Sequence, residues 1–295
     1  MSWRTIVVAS HSKLDLQVGF LQIRNAEGSK RVILDEIDVL LIESTAVSLT
    51  AALLAELIER KVKVIFCNRQ RNPMAELVPY HGCHDCTRRL RVQLGWGIES
   101  KANIWREIVK EKIRNQSVLL RRVGKSEAAR VLTLYADAVL PGDVTNREGL
   151  SAREYFSALF GSDFSREKRC DVNSALDYGY QVMLSVFTRE LSCEGYLTQL
   201  GIFHDNTYNS FNFASDLIEP FRPYVDDMVR TYFMNVGAEF DKDARRSLIN
   251  LLHREVELDG KRQSMINAIT LYVRSVTAAL CENDTLRLRF PTFEC

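Results

Sequence analysis

Apolar and polar positions along this chain follow two different periods, and the change from one to the other divides it. Through the first third the apolar runs are short and rich in β-branched residues. Residues 3–9 form one such run, and residues 14–24 alternate roughly, with Leu14, Leu16 and Val18 followed by Phe20, Leu21 and Ile23. A period near two predicts strands. Asn25-Ala26-Glu27-Gly28-Ser29-Lys30 has the chemistry of a hairpin connection, with a further strand expected over 31–34. Residues 39–43 and 62–67 are two more short apolar runs. Between them Ser48 is placed to cap a helix over about 49–60 whose apolar residues fill one face.

Beyond about residue 85 the period lengthens. Ile104, Trp105, Ile108 and Val109 make one helical stripe, Leu248, Ile249, Leu252 and Val256 a second, and Ala268, Leu271, Val276 and Ala279 a third. The expected architecture is α+β. A small N-terminal β-sheet domain with one helix covers residues 1–84, and a larger all-helical domain covers 85–295. The polar turn Tyr80-His81-Gly82-Cys83 marks the junction, and the tail from Arg287 reads as an extended arm.

Composition narrows the class without naming a function. Hydrophobic residues make up 46% of the 295 and charged residues 26%, the balance of an ordinary soluble protein. No window offers the roughly 18 apolar residues of a membrane span. The opening apolar stretch is too short for a signal peptide, so a cytoplasmic location is expected. Seven cysteines, an odd number spread from Cys67 to Cys295, read as reduced thiols rather than a disulfide framework. The net charge of +1 points to no partner, but its distribution is uneven. Residues 85–125 carry eleven Lys or Arg against four acids, whereas residues 201–260 carry eleven acids against six Lys or Arg. Two solvated helix faces account for this as readily as a phosphate-binding surface beside a carboxylate-rich metal site.

Three segments could carry chemistry. Thr145 followed by Glu148, and Ser151 followed by Glu154, both fit capping boxes, so Glu148 reads first as a helix-capping carboxylate. His204 follows an apolar run and opens an Asn-rich stretch that ends in Asp216-Leu-Ile-Glu219-Pro-Phe-Arg222-Pro223. Asp216 and Glu219, three apart, would share one face of a helix and repel unless a cation lies between them. A divalent ion or Arg222 would serve. His81-Gly-Cys83-His84-Asp-Cys86 offers soft ligands, but adjacent residues cannot easily face one ion and no second Cys pair has zinc-site spacing, so it reads as structural. His11 sits in an expected turn, His253 on an amphipathic helix, and Trp3, Trp96 and Trp105 read as packing. No Gly-rich phosphate loop is present, which removes support for a kinase, NTPase or dehydrogenase.

Taken together, four segments resemble the universal CRISPR-associated endonuclease/integrase of spacer acquisition. They are Glu148-Gly-x-x-Ala152-Arg153-x-Tyr155-Phe156, Asp171-Val-Asn-x-Ala-Leu-x-Tyr-Gly-Tyr180, Gly201-x-x-His204 and Asp216-Leu-Ile-Glu219-Pro-Phe-Arg-Pro223, in the family's order and approximate spacing. The opening Trp-Arg-Thr-Ile-Val looks like the variant accompanying type II systems. The resemblance implies an N-terminal β-domain and a helical catalytic domain, with Glu148, His204 and Glu219 as metal ligands and Asp216 as a further acid near the ion. Asp205 stands where relatives commonly have Gly after the motif His.

Two carboxylates and an imidazole suit Mg²⁺ or Mn²⁺. The implied reaction is attack of a DNA 3′-hydroxyl on a phosphodiester at a CRISPR repeat boundary. Implied partners are double-stranded and branched DNA, a second copy in a homodimer, a small ferredoxin-like adaptation protein and the RNA-guided effector nuclease. Arg88, Arg89, Arg121, Arg122 and Lys125, from the basic tract, are the candidates for DNA backbone contacts. The alternatives are a non-catalytic DNA-binding scaffold and a general mononuclear metal hydrolase.

Overall fold

The alternation over residues 14–24 resolves into two strands, because Val18 and Gly19 both take positive φ (41° and 79°) and reverse the chain between them. Gly19 tolerates this freely. The computed structural model describes residues 4–77, 85–236 and 239–293, and the chain divides into two units, Met1–Gly82 and Cys83–Cys295. The turn expected at the junction, with His81, Cys83 and His84, lies outside the described residues.

The first unit holds β1 (Arg4–Val8), β2 (Ser12–Gln17), β3 (Phe20–Asn25), β4 (Gly28–Ile33), β5 (Ile37–Ile42), β6 (Val47–Leu49), α1 (Ala51–Glu59), β7 (Lys63–Cys67) and β8 (Pro73–Glu76). They form two four-stranded sheets, in the orders β1-β5-β7-β8 and β4-β3-β2-β6. β5 pairs in parallel with β1 and β7, and its six residues are all buried, as a central parallel strand requires. Helix α1 is capped by Thr50, which accepts from the Leu53 amide, rather than by Ser48, which lies on β6. Leu14, Leu21, Leu34, Leu40, Leu53 and Leu57 meet in the core.

The second unit is mostly helical: α2 (Cys86–Leu94), α3 (Ile98–Arg122), α4 (Ser126–Asp137), α5 (Arg147–Phe160), α6 (Asp171–Cys193), α7 (Asn212–Leu217), α8 (Arg222–Val236), α9 (Lys242–Asn250) and α10 (Met265–Glu282). It is not wholly helical. The stripe expected through Val256 breaks after α9, and Val256 lies instead on β9 (Glu255–Leu258), paired antiparallel with β10 (Lys261–Ser264). Asp259 and Gly260, both at positive φ, form the turn. Helix α3 is the central element, packed against α4, α5, α8, α10 and the 3₁₀ turns Pro141–Asp143 and Glu219–Phe221. Ile104, Trp105, Ile108, Val109 and Ile113 are buried along it, each contributing about 1.5–3 kcal/mol by leaving water. The C-terminal arm is extended, as expected. Thr292 donates its amide to the Glu257 carbonyl at 2.7 Å, and the Phe293 ring packs 4.6 Å from Tyr224.

Candidate active site

Glu148 lies in the first turn of helix α5, and it is not the carboxylate that caps it. Asn146, in the left-handed region at φ 51°, is the N-cap and accepts from the Gly149 amide. Asp143 accepts from the amides of Arg147 (2.8 Å) and Glu148 (2.9 Å). The orphan amides of the first turn are therefore satisfied by other side chains. The Glu148 side chain instead crosses to α3, where Lys112 Nζ donates to its Oε1 at 2.7 Å. The expected capping box is corrected on this point.

Lys112 also forms an ion pair with Glu219 Oε2. Its ammonium thus joins two carboxylates from different elements. The side chain is buried at the position that Ile108 and Ile104 occupy one and two turns earlier on α3. Burial pulls its pKa down, but Glu219 and Glu148 more than offset this, so the net direction is upward and the ammonium stays charged. Glu219 is buried too, and Arg222 Nε donates to its Oε1 at 2.8 Å. Burial pushes the Glu219 carboxyl up, but Arg222 and Lys112 overcome it and hold the group below the usual carboxylate range. Oε2 of Glu219 is engaged by the Lys112 ammonium.

His204 lies in the loop after α6, where Gly201 makes a close approach possible. A Cβ at Gly201 would meet the His204 carbonyl oxygen and lie 2.7 Å from Asp216 Oδ2. The loop wraps around the fully buried carboxylate of Asp216. Oδ2 accepts from the amides of Ile202 (2.6 Å) and Phe203 (3.2 Å), and Oδ1 from the His204 amide (3.0 Å) and ring Nδ1 (2.6 Å). A carboxylate can only accept, so Nδ1 carries the proton and Nε2 of the neutral ring keeps its lone pair. Asp216 raises the His204 pKa, opposed by burial, with Glu219 and Glu148 raising it further. Trp105 stacks on Phe203 at 4.4 Å and meets His204 edge-on at 5.7 Å, which fixes the loop against α3.

The structure therefore brings Glu148 and Glu219 to one ammonium, and His204 to Asp216, within the electrostatic reach of both glutamates. Among the described residues no three His, Cys, Asp or Glu groups are gathered closely enough to surround an ion. Asp216 stands behind the imidazole with both oxygens occupied. There it orients the imidazole, as a carboxylate behind a histidine does. Glu219 does not share a helix with Asp216, since α7 ends at Leu217 and Glu219 begins the 3₁₀ turn. The donor chemistry still suits a hard divalent ion. Lys112 stands as a cation between the two carboxylates, meeting Glu219 at Oε2 and Glu148 at Oε1, and the imidazole adds a nitrogen.

The five basic candidates separate into two groups. Arg88 pairs with Asp85, Arg89 with Asp85 and Glu194, and Arg122 with Asp227. Arg121 and Lys125 are exposed at the end of α3 and the start of α4 and have no acidic partner among the described residues. Trp96 and Trp105 are buried as packing residues. The sequence reading singled out neither Lys112 nor Asp143. A lysine in the apolar row of α3 was the available signal for the first.

A family model described as CRISPR associated protein Cas1 matches residues 6–255. A CRISPR-associated endonuclease Cas1 from Neisseria meningitidis serogroup C (strain 8013) is 34% identical over 293 residues, covering 99% of this chain and 96% of that protein. Among solved structures, a casposase bound to integration product is similar with TM-score 0.79 and 18% identity, covering 96% of this chain and 92% of that one. A Cas6-RT-Cas1–Cas2 complex is similar with TM-score 0.76 and 17% identity, covering 99% of this chain and 36% of that one.

Proposed function

This chain belongs to the CRISPR associated protein Cas1 family, and on that premise we propose that it is a divalent-metal-dependent DNA endonuclease and integrase. It inserts new spacers into a CRISPR array by directing a DNA 3′-hydroxyl onto a phosphodiester. The observation that carries this reading is the convergence of Glu148 and Glu219 on one buried cationic point, beside an imidazole whose Nε2 is left with its lone pair.

Glu148, Glu219 and His204 would hold Mg²⁺ or Mn²⁺, which when bound lowers the pKa of an attacking hydroxyl or water and polarises the phosphoryl oxygen. The chain's own residues prepare the site. Asp216 orients the imidazole and fixes its tautomer. Arg222 keeps Glu219 ionised and holds Oε1, so that Oε2 is the oxygen left for a cation. Lys112 neutralises two carboxylates that would otherwise repel each other in a poorly solvated place. Arg121 and Lys125 supply positive charge suited to a phosphate backbone, which positions DNA without reading its sequence. The likeness to a casposase bound to integration product and to a Cas1–Cas2 assembly supports DNA and a small Cas partner as ligands. We extend the reading to a homodimer, on family membership, and to the type II variant, on the opening Trp-Arg-Thr-Ile-Val. No helix among the described residues is long and apolar enough to cross a membrane.

One observation favours a second reading. A lysine already bridging two acids is what a purely structural ion-pair cluster would look like, as a non-catalytic DNA-binding scaffold would have. Strand transfer on branched DNA with Mn²⁺ decides between them. The integrase reading expects wild type to join strands, and Glu219→Gln and His204→Ala to lose the activity while keeping a folded circular dichroism spectrum. A Glu219→Gln protein that integrates normally removes the assignment.

A further inference from the structure

The motif ending Tyr178-Gly-Tyr180 supplies no candidate ligand, yet its last residue lies against the support of one. Tyr180 is buried on α6, and its hydroxyl donates to Asp226. The other Asp226 oxygen accepts from Tyr155 at 2.8 Å. Asp226 is only 1% exposed, so these two phenols provide the hydrogen bonds that a buried carboxylate requires. One turn earlier on α8, the Arg222 guanidinium lies 4.6 Å from the Tyr180 ring centroid. The same guanidinium donates through Nε to Glu219. The approach of the two helices is close at this level. A Cβ at Gly179 would fall 2.5 Å from Val225 Cγ1, so a larger residue there would push α6 from α8 and take the ring off the guanidinium.

An arginine has several rotamers from which it can reach a carboxylate, and each gives that carboxylate a different orientation. A ring fixed by a hydrogen bond at its far end, lying under the guanidinium plane, removes most of them through stacking and cation–π attraction. We propose that Tyr180, anchored by Asp226, is a positioning residue for Glu219: it fixes the Arg222 guanidinium, which holds Glu219 Oε1 and so turns Oε2 to the point that Lys112 occupies and the divalent ion would take. This rests on the reading of Glu219 as a metal ligand.

The test is titration of the purified full chain with Mn²⁺ alone, followed by calorimetry, for wild type, Tyr180→Leu, Tyr180→Phe, Arg222→Lys and Glu219→Ala, with a melting curve for each. Tyr180→Leu and Arg222→Lys are expected to weaken Mn²⁺ binding by about 10-fold or more, the usual effect of losing a residue that orients a ligand. Tyr180→Phe keeps the ring but loses its anchor, and is expected to weaken binding less than Tyr180→Leu does. If Tyr180→Leu does not fold, Arg222→Lys with Tyr180→Phe carries the comparison. Were Glu219→Ala to lose Mn²⁺ while the folded Tyr180→Leu and Arg222→Lys proteins bound it as wild type does, Tyr180 would be a packing residue and the inference overturned, with the metal reading intact. Unchanged Mn²⁺ binding in Glu219→Ala overturns the metal reading and this inference with it.

Discussion

Asp216 accepts a hydrogen bond from His204 Nδ1 at 2.6 Å while three backbone amides of the same loop hold its carboxylate in place. The imidazole is thereby fixed in tautomer and direction by a group that cannot itself turn toward an ion. Asp216→Asn keeps the size and removes the charge, and is expected to lower Mn²⁺ affinity by about 10- to 100-fold in calorimetric titration.

The same pair sets a pH dependence. His204 is held above its ordinary value of 6.5, chiefly by Asp216. Protonation removes the Nε2 lone pair, so DNA cleavage by wild type should fall on the acid side. In Asp216→Asn the acid limb should move down. The pair's contribution to folding runs the other way, being fully present below the unfolded imidazole pKa and lost as pH rises through the raised folded one. Profiles of cleavage rate against pH that superimpose for the two proteins would refute the coupling.

Lys112 is the cation on which Glu148 and Glu219 converge, and removing one member of a buried charge cluster leaves the others uncompensated. Lys112→Met, close in shape, is expected to cost about 3–5 kcal/mol in urea unfolding without metal. Because Mn²⁺ would then meet two carboxylates with no ammonium between them, it should restore more stability to the variant than it adds to wild type. Equal stabilisation of both proteins by Mn²⁺ would show that the ammonium and the metal do not use the same oxygens.

The division into a β-rich and a helical part was legible because period two and period 3.6 are written over long stretches. The exceptions are local. A two-residue turn at Val18-Gly19 left the alternation almost undisturbed, so two strands read as one, and Val256 continued an apolar stripe that Asn250 had already ended. At the site, residue types pointed to Glu148, His204 and Glu219 only through the family resemblance. Glu148 sits where a capping acid belongs, and nothing nearby in sequence reveals that Asp143 and Asn146 do the capping. Lys112 and Tyr180 reach Glu219 or its arginine from distant helices, α3 and α6, by packing that no local pattern records.

Asp226 offers a test of the network's electrostatics apart from any ligand. Burial raises its pKa from 3.8 to about 6, opposed by the hydrogen bonds from Tyr180 and Tyr155. A carboxyl raised on folding contributes stability that is full below its unfolded pKa and is lost as pH rises through the folded value. Wild type should therefore gain stability relative to Asp226→Asn as pH falls from about 6 toward 3.8, since the amide does not titrate. Denaturation midpoints that keep a constant difference across this window would place the titration elsewhere.

Arg121 and Lys125 differ from the other basic candidates in having no acidic partner among the described residues, and this predicts how DNA binding responds to salt. A cation free to neutralise a phosphate releases a counterion, whereas one already neutralised by an acid must first give up that pair. Replacing both Arg121 and Lys125 by Ala should reduce the slope of log affinity against log salt by about 2, at roughly 0.9 for each phosphate no longer neutralised. Arg122→Ala should leave the slope nearly unchanged and act on stability instead, because its guanidinium pairs with Asp227 and lies 5.6 Å from the Phe293 ring. The measurement is fluorescence anisotropy on branched DNA across a salt series. If Arg122→Ala flattened the slope as much as the double substitution did, ion pairing within the fold would not be what sorts these residues, and the basic tract would act as one undivided surface.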